Sequence, residues 1–349
     1  MESYEKYIIN YDNAIEQSFK NIEDLNSGKV KFLDTGFKVL NSTFFNGLQT
    51  NRIMVVAALS SVGKTTYVGQ LRDNILNLNQ NVIALSFNFE MIASDIIDNS
   101  IVTEMDISLK DLYGVDKKLT SKEINELKVK FKNKTKHKNL CFVDVPINYK
   151  LIGEIIYSYW VKNCKDKNII LVYDIDHALI ALGLDHDTET SKLENLMKIL
   201  NTVKKRIASE GGHCIGIVLS QVKRDLESKE RISDKIQHYP KKSDLTYSQA
   251  LEHYADVIMI LNNPSKLSLQ SYGIHNYPIF AQYKKEVLPI VYIHIVKARR
   301  VEPDKILILL PELSRFRFNE VTSDVFINSL QQIVKNKANQ SVINIKDEI

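Results

Sequence analysis

The stretch Ile53-Met-Val-Val-Ala-Ala58-Leu-Ser-Ser-Val-Gly63-Lys64-Thr65-Thr66 joins an unbroken apolar run to a short loop, and the helical pattern Tyr67–Leu78 follows. An apolar run without polar alternation reads as a strand covered on both faces. Strand, loop and helix in that order are the setting of a phosphate-binding loop. There the backbone N–H groups and the helix dipole face an anion. The loop takes in Ala58, Leu59, Ser60, Ser61, Val62, Gly63, Lys64, Thr65 and Thr66. Gly63 lets the backbone come close to the ligand. In such a loop Lys64 would reach the β- and γ-phosphates, and the Thr65 hydroxyl would hold Mg²⁺. Ala58 stands where such loops usually begin with glycine. A helix start that merely carries a lysine is the plainer alternative.

Outward from this loop, short β-branched runs alternate with longer helical ones. The runs are Val82–Phe87, Leu140–Val143, Ile169–Tyr173 and Cys214–Leu219, with helical patterns over 91–103, 149–164 and 189–209 between them. Val257–Leu261, Val291–Val296 and Ile306–Leu310 follow. The intervening helices are long enough for right-handed crossovers, which predicts an α/β fold: a mostly parallel sheet flanked by helices, ending in a few antiparallel strands. Residues 3–26 read as a polar amphipathic helix, with Tyr11, Ile15, Phe19 and Ile22 at helical spacing and Ser27-Gly28 as its stop. Residues 222–248, 262–290 and 322–349 read as loops or appendages, the last with a helix over Val325–Val334 and a polar tail. This divides the chain into a helix at 1–28, a core at 29–320 and an appendage at 321–349.

Three strands end in chemistry. Ile169–Tyr173 closes on Asp174, placed to hold the water shell of Mg²⁺; Asp176, two residues on, either shares that role or, as the plainer reading, is a solvated loop acid. Val82–Phe87 is followed by Glu90, which either orients the attacking water or only complements a helix dipole. Cys214–Leu219 runs into Gln221, either a γ-phosphate contact or a solvated amide. Asp174, Asp176, His177, Asp185, His186 and Asp187 match no metal-ligand spacing. In Ile293–Arg300, Lys297 and Arg299 share a face by the period of two. Two cations on an apolar strand need an anion. It is either a local carboxylate or the phosphates of a nucleotide held by a neighbouring subunit, which would make Arg299 an arginine finger.

The chain has 349 residues, 44% hydrophobic and 25% charged, which excludes global disorder. Forty-six basic against 42 acidic residues leave a net charge of +4, too small to settle a nucleic-acid partner. Cys141, Cys164 and Cys214 are scattered, as in a reducing cytoplasm. No apolar run approaches the ~18 residues of a membrane span, and the charged start MESYEKYIINYDN carries no secretory signal.

In this order the motifs resemble the RecA-like motor domain of DnaB-type replicative helicases. The resemblance runs from about Thr35 to Phe318. It begins with Thr35-Gly-Phe37 and Asn46-Gly-Leu-Gln49 and continues through Ala58–Thr65, Phe89-Glu90-Met91 and Val172-Tyr-Asp174. Leu219-Ser-Gln221 with Arg224, Ser243-Asp244-Leu245, Glu252 with Ala255-Asp256, and finally Lys297-Ala-Arg299 complete it. The resemblance implies a RecA-like P-loop core and a homo-oligomer, a ring hexamer that hydrolyses ATP between subunits. It further implies translocation on single-stranded DNA, a primase or helicase loader as partner, and the cytoplasm of a bacterial or phage-infected cell. It assigns catalysis to Glu90, Lys64, Lys297 and Arg299, the last two acting in trans, and makes 3–26 a linker helix that docks on the next subunit. An ATPase that regulates or loads other proteins without unwinding is the rival.

Three departures stand out, one of them Thr246-Tyr-Ser-Gln249 after Ser243-Asp244-Leu245, where the family usually has Arg followed shortly by Gly. No stretch of the sequence resembles the family's helical N-terminal domain, so the expectation is a motor without its collar. The loop Leu184–Thr190, which faces DNA in the family, is acidic through Asp185, Asp187 and Glu189. Lys223, Arg224, Lys241 and Lys242 could supply DNA-phosphate contacts instead, or form an ordinary solvated face.

Overall fold

The computed structural model describes residues 8–28, 32–115, 117–134, 139–145, 147–176, 188–246, 248–283, 286–303, 305–321 and 342–345. Asn10 opens α1 (Tyr11–Asn26), its side-chain oxygen accepting from the Asn13 N–H at 2.8 Å. Of the helix read over 3–26, residues 3–7 lie outside the described residues, and among the described ones it begins at Tyr11. It buries none of its residues: Tyr11, Phe19 and Ile22 all stand exposed. Next come α2 (Lys38–Thr43), β1 (Arg52–Ala58), α3 (Lys64–Leu78), β2 (Val82–Phe87) and α4 (Ala93–Met105). These are followed by α5 (Leu109–Leu112), α6 (Ser121–Lys134), β3 (Leu140–Val143), α7 (Ile152–Asn163), β4 (Ile170–Ile175), α8 (Glu189–Ser209) and β5 (Cys214–Gln221). The chain continues through α9 (Lys229–Ser233), α10 (Ser248–Tyr254), β6 (Val257–Asn262), β7 (Phe280–Tyr283) and β8 (Glu286–Pro289). It ends with β9 (Val291–Ala298), β10 (Lys305–Glu312), β11 (Arg317–Val321) and β12 (Val342–Ile345).

Nine strands form one sheet in the order β11-β10-β9-β6-β1-β5-β4-β2-β3. From β3 to β6 all neighbours are parallel, and β9, β10 and β11 are antiparallel. Side-chain alternation sends Met54, Val56 and Ala58 into the core under α3, with Tyr67, Leu71 and Ile75. It sends Ile53, Val55 and Ala57 into the core under α7 and α8, with Trp160, Leu196 and Leu200. Burial on both faces is why these strands carry no polar alternation.

Parts of the appendages are structured. Residues 262–290 contain the hairpin β7–β8, and within the segment read as a polar tail β12 pairs in parallel with β7. Ile279, Ala281, Ile290, Tyr292 and Leu310 pack there in a third core. The Val325–Val334 helix lies outside the described residues. β11 is a further strand, bound to α3 through Gln70, whose amide donates to the Phe318 carbonyl at 3.0 Å and accepts from the Phe318 N–H at 2.7 Å.

Candidate nucleotide site

Parallel pairing brings the carboxyl ends of β1, β2, β4 and β5 to one edge. Ala58 stands beside Gln221, Ser86 beside Asp174, and Phe87 beside Ile175. The loop between β1 and α3 occupies that edge. Gly63 adopts φ +100° as the residue before α3, and a Cβ there would lie 2.7 Å from Cζ of Phe318. Both facts require glycine. Thr65 and Thr66 open the helix, and Lys64 sits at its first position with its N-terminus facing the edge.

Burial pushes the Lys64 ammonium below its ordinary pKa, and the charges of Asp176 and Glu90 partly offset this. The loop lysine thus lies within electrostatic reach of both acids. Glu90 is exposed just past β2. Asp176 is only 7% exposed, which corrects the reading of it as a solvated loop acid.

Asp174 is buried, and its carboxylate accepts from the Ser86 hydroxyl and from Arg72, the guanidinium at 3.5 Å. Burial raises the Asp174 pKa against the pull of Arg72 and Ser86. Arg72 also meets Asp73 at 3.0 Å. Neither Arg72 nor Ser86 belongs to a motif legible in the sequence. The available signal was a cation at position 72 on the face of α3 that otherwise buries Val68, Leu71 and Ile75. Thr65, Asn88, Asp174 and Asp176 line one cavity of ≈ 150 Å³. His177, Asp185, His186 and Asp187 lie outside the described residues.

Gln221 ends β5 exposed on the same edge, and Lys223 and Arg224 follow it. Lys223 donates to the Ser243 carbonyl at 3.0 Å, and Lys242 pairs with Glu252 at 2.6 Å. Arg224 and Lys241 are exposed. The four cations are therefore not equally available to an outside anion. Arg231 stiffens this segment by holding Asp244 at 2.6 Å and the carbonyls of Gln237 and Tyr239. Of the acidic loop, 184–187 lie outside the described residues, while Thr188 caps α8 by accepting from the Ser191 N–H at 3.3 Å.

Lys297 and Arg299 stand at the opposite edge. Ala298 pairs with Val257 where β6 begins, so both cations sit near the amino ends of the parallel strands. The seven residues of β1 put about 20 Å between the two edges. A bulge beside Met259 shifts the register: Ile293 and Ile295 enter the core under α3, but Lys297 donates to the Glu252 carbonyl on α10. Arg299 donates to Asp256 at 3.1 Å and to the His253 carbonyl at 3.1 Å. Asp256 is a buried hub that also accepts from Lys204 at 2.8 Å and from the Ile53 N–H at 2.9 Å. Burial would raise its pKa, but these hydrogen bonds and the charges of Lys204 and Arg52 hold it below the usual carboxylate value. Burial and Arg299 lower the Lys297 pKa, partly offset by Glu252 and Asp256. Within one chain, then, Arg299 meets a local carboxylate, while half of its side chain stays exposed.

Known proteins share the fold that carries this geometry. Residues 33–317 match the DnaB-like helicase C terminal domain. The replicative DNA helicase DnaB of Buchnera aphidicola subsp. Schizaphis graminum is 27% identical over 265 residues, 72% of this chain and 51% of that protein. The replicative DNA helicase DnaC of Bacillus subtilis is 23% identical over 254 residues, 72% of this chain and 52% of that protein. The chain thus spans about half the length of the curated relatives it matches. Among solved structures, an isolated ATPase domain superposes with a TM-score of 0.69 at 20% identity, covering 90% of this chain and 99% of that one. A DnaB-like replicative helicase, described with its interactions with primase, gives 0.67 at 21%, covering 90% and 69%. The fold is the RecA-like one that the motif order implied. With a family match running across most of its length, the chain belongs to the DnaB-like helicase C-terminal domain family.

Proposed function

We propose that the chain is the ATP-hydrolysing motor of a replicative DNA helicase, working as a homo-oligomeric ring whose sites are completed by the next subunit. The observation that carries this reading is the division of the charged groups between two edges. The phosphate loop, Glu90, Asp174, Asp176 and Gln221 gather at the carboxyl ends of the strands. Arg299 sits at the amino ends, too far to serve its own loop. Beside a neighbour's loop it would face phosphate, since Lys297 and Arg299 open onto a groove of ≈ 920 Å³.

In this reading the loop N–H groups from Ser60 to Thr66, together with Lys64, bind the phosphates. The Thr65 hydroxyl and the Asp174 carboxylate are hard oxygen donors sharing one cavity, which fits Mg²⁺; Arg72 and Ser86 orient that carboxylate. When bound, Mg²⁺ neutralises phosphate charge. Glu90 orients the attacking water, Gln221 contacts the γ-phosphate, and the neighbour's Lys297 and Arg299 stabilise charge on the transferring group. The exposed apolar stripe of α1, Tyr11, Ile15, Phe19 and Ile22, would dock on the adjacent subunit. Arg224 and Lys241, with Lys223 and Lys242 once their local partners release them, would contact single-stranded DNA. A primase as partner is carried over from the DnaB-like helicase described with one, while a loader and the cytoplasm follow from the family resemblance. Among the described residues no helix is long and apolar enough to cross a membrane.

ATP turnover on protein sized by light scattering, with and without single-stranded DNA, tests the proposal. DNA-stimulated turnover by an oligomer is expected. Turnover indifferent to DNA would favour the regulatory ATPase instead.

A further inference from the structure

One cation touches the phosphate loop without belonging to any motif named above. Lys266 lies on the 3₁₀ turn Pro264–Leu267 that follows β6. β6 pairs with β1, Leu261 beside Ala58, so this turn runs alongside the loop. The Lys266 ammonium donates to the Ser61 carbonyl at 2.6 Å. The turn that carries it is firmly seated. Pro264 and Leu267 are buried, and the Asn263 side chain accepts from the Ser265 N–H at 3.1 Å and from its hydroxyl at 2.7 Å.

Ser61 has φ +62°, a left-handed conformation that is strained for a non-glycine residue and persists only where its surroundings impose it. A trans peptide is planar, and its C=O and N–H point in opposite directions. Fixing the Ser61 carbonyl against Lys266 therefore fixes the Val62 N–H on the opposite side of the loop. The Val62 side chain is buried, which leaves that peptide little freedom to turn by another route.

We propose that Lys266 is a positioning residue of the nucleotide site, which orients the Val62 N–H toward the phosphates by holding the Ser61 carbonyl from behind. The proposal rests on the nucleotide-site reading above. Losing one well-aimed backbone N–H donor to an anionic phosphate corresponds to about a tenfold change in affinity.

The test compares wild type, Lys266→Met, Lys266→Arg and Lys64→Ala in the full chain. Isothermal titration with Mg·ATP and with pyrophosphate gives affinities, and thermal melting without ligand gives fold integrity. Lys266→Met is expected to weaken both ligands about tenfold at an unchanged melting temperature, because pyrophosphate engages the loop alone. Lys266→Arg, which can still donate to the carbonyl, should regain most of the loss. If Lys266→Met binds both ligands as wild type does, the proposal is wrong. If its melting temperature falls and arginine restores stability without affinity, Lys266 is a fold contact and the proposal is again wrong. If wild type binds neither ligand, or Lys64→Ala binds them undiminished, the nucleotide-site reading itself falls, and the proposal with it.

Discussion

At the scale of the residue, the site depends on a few side chains with separable duties. Glu90 is exposed, and in the proposed site the loop and Lys64 rather than Glu90 hold the phosphates, so its removal would leave those contacts in place. Glu90→Gln should bind ATP nearly as wild type does and hydrolyse it ~10²–10⁴-fold more slowly, since an amide cannot accept a proton from water as a carboxylate does. Equilibrium binding and steady-state turnover of the same preparation check this. Loss of binding at an unchanged rate per bound nucleotide would make Glu90 structural. The pattern of strand ends pointed to Glu90, Asp174 and Gln221 without any structure. It did not point to Arg72 or Lys266, because a cation on a helix face or in a polar turn looks solvated until the chain folds over it. Asp176 looks solvated for the same reason: it lies beyond the last apolar residue of its strand, yet it is buried.

At the scale of the element, the strands under two helical layers were legible because burial on both faces leaves continuous apolar runs. β7, β8, β11 and β12 were not. They are short, they carry Pro289 or the polar residues Gln282 and Glu320, and their partners are fixed only by tertiary pairing. β11 nonetheless governs the loop. Phe318 is buried, meets Tyr67 edge to face at 6.0 Å and stands where a Cβ on Gly63 would fall. Phe318→Ala should cost ~3–5 kcal/mol, read by urea denaturation, through lost burial and the cavity left behind. A cost under about 1 kcal/mol would mean that β11 is not seated on α3.

β9 carries a second consequence. His294 is buried, and its ring nitrogen pairs with the Tyr272 hydroxyl at 2.8 Å. The Asn262 amide donates to that hydroxyl at 2.9 Å, so the Tyr272 proton is directed to His294, which must be neutral to accept it. Burial lowers the His294 pKa to about 3. Between pH 6.5 and 3 the unfolded chain therefore binds a proton that the folded chain refuses, and stability falls as pH drops through that window, by up to ~1.4 kcal/mol per unit. His294→Gln, which keeps an acceptor and cannot titrate, should flatten the decline between about pH 6.5 and 5 in urea melts taken across that range. An unchanged slope would assign the decline to other groups. Asp256, held low, adds its own loss only as pH falls below the ordinary carboxylate value.

At the scale of the whole molecule, the sheet separates the phosphate loop from Arg299 by the length of its strands, so a single chain cannot complete the proposed site. Arg299 can be removed without stranding its local partner, because Asp256 keeps Lys204 and the Ile53 N–H. The exposed stripe on α1 supplies a surface by which copies could join. The decisive measurement is ATP turnover in mixtures of Lys64→Ala and Arg299→Ala chains, each inactive alone, under conditions that allow subunit exchange. If the site is shared, some interfaces in the mixture pair an intact loop with an intact Arg299, and activity partly returns, highest near equal proportions. No return at any ratio, with co-assembly confirmed, would show that Arg299 serves only its own chain.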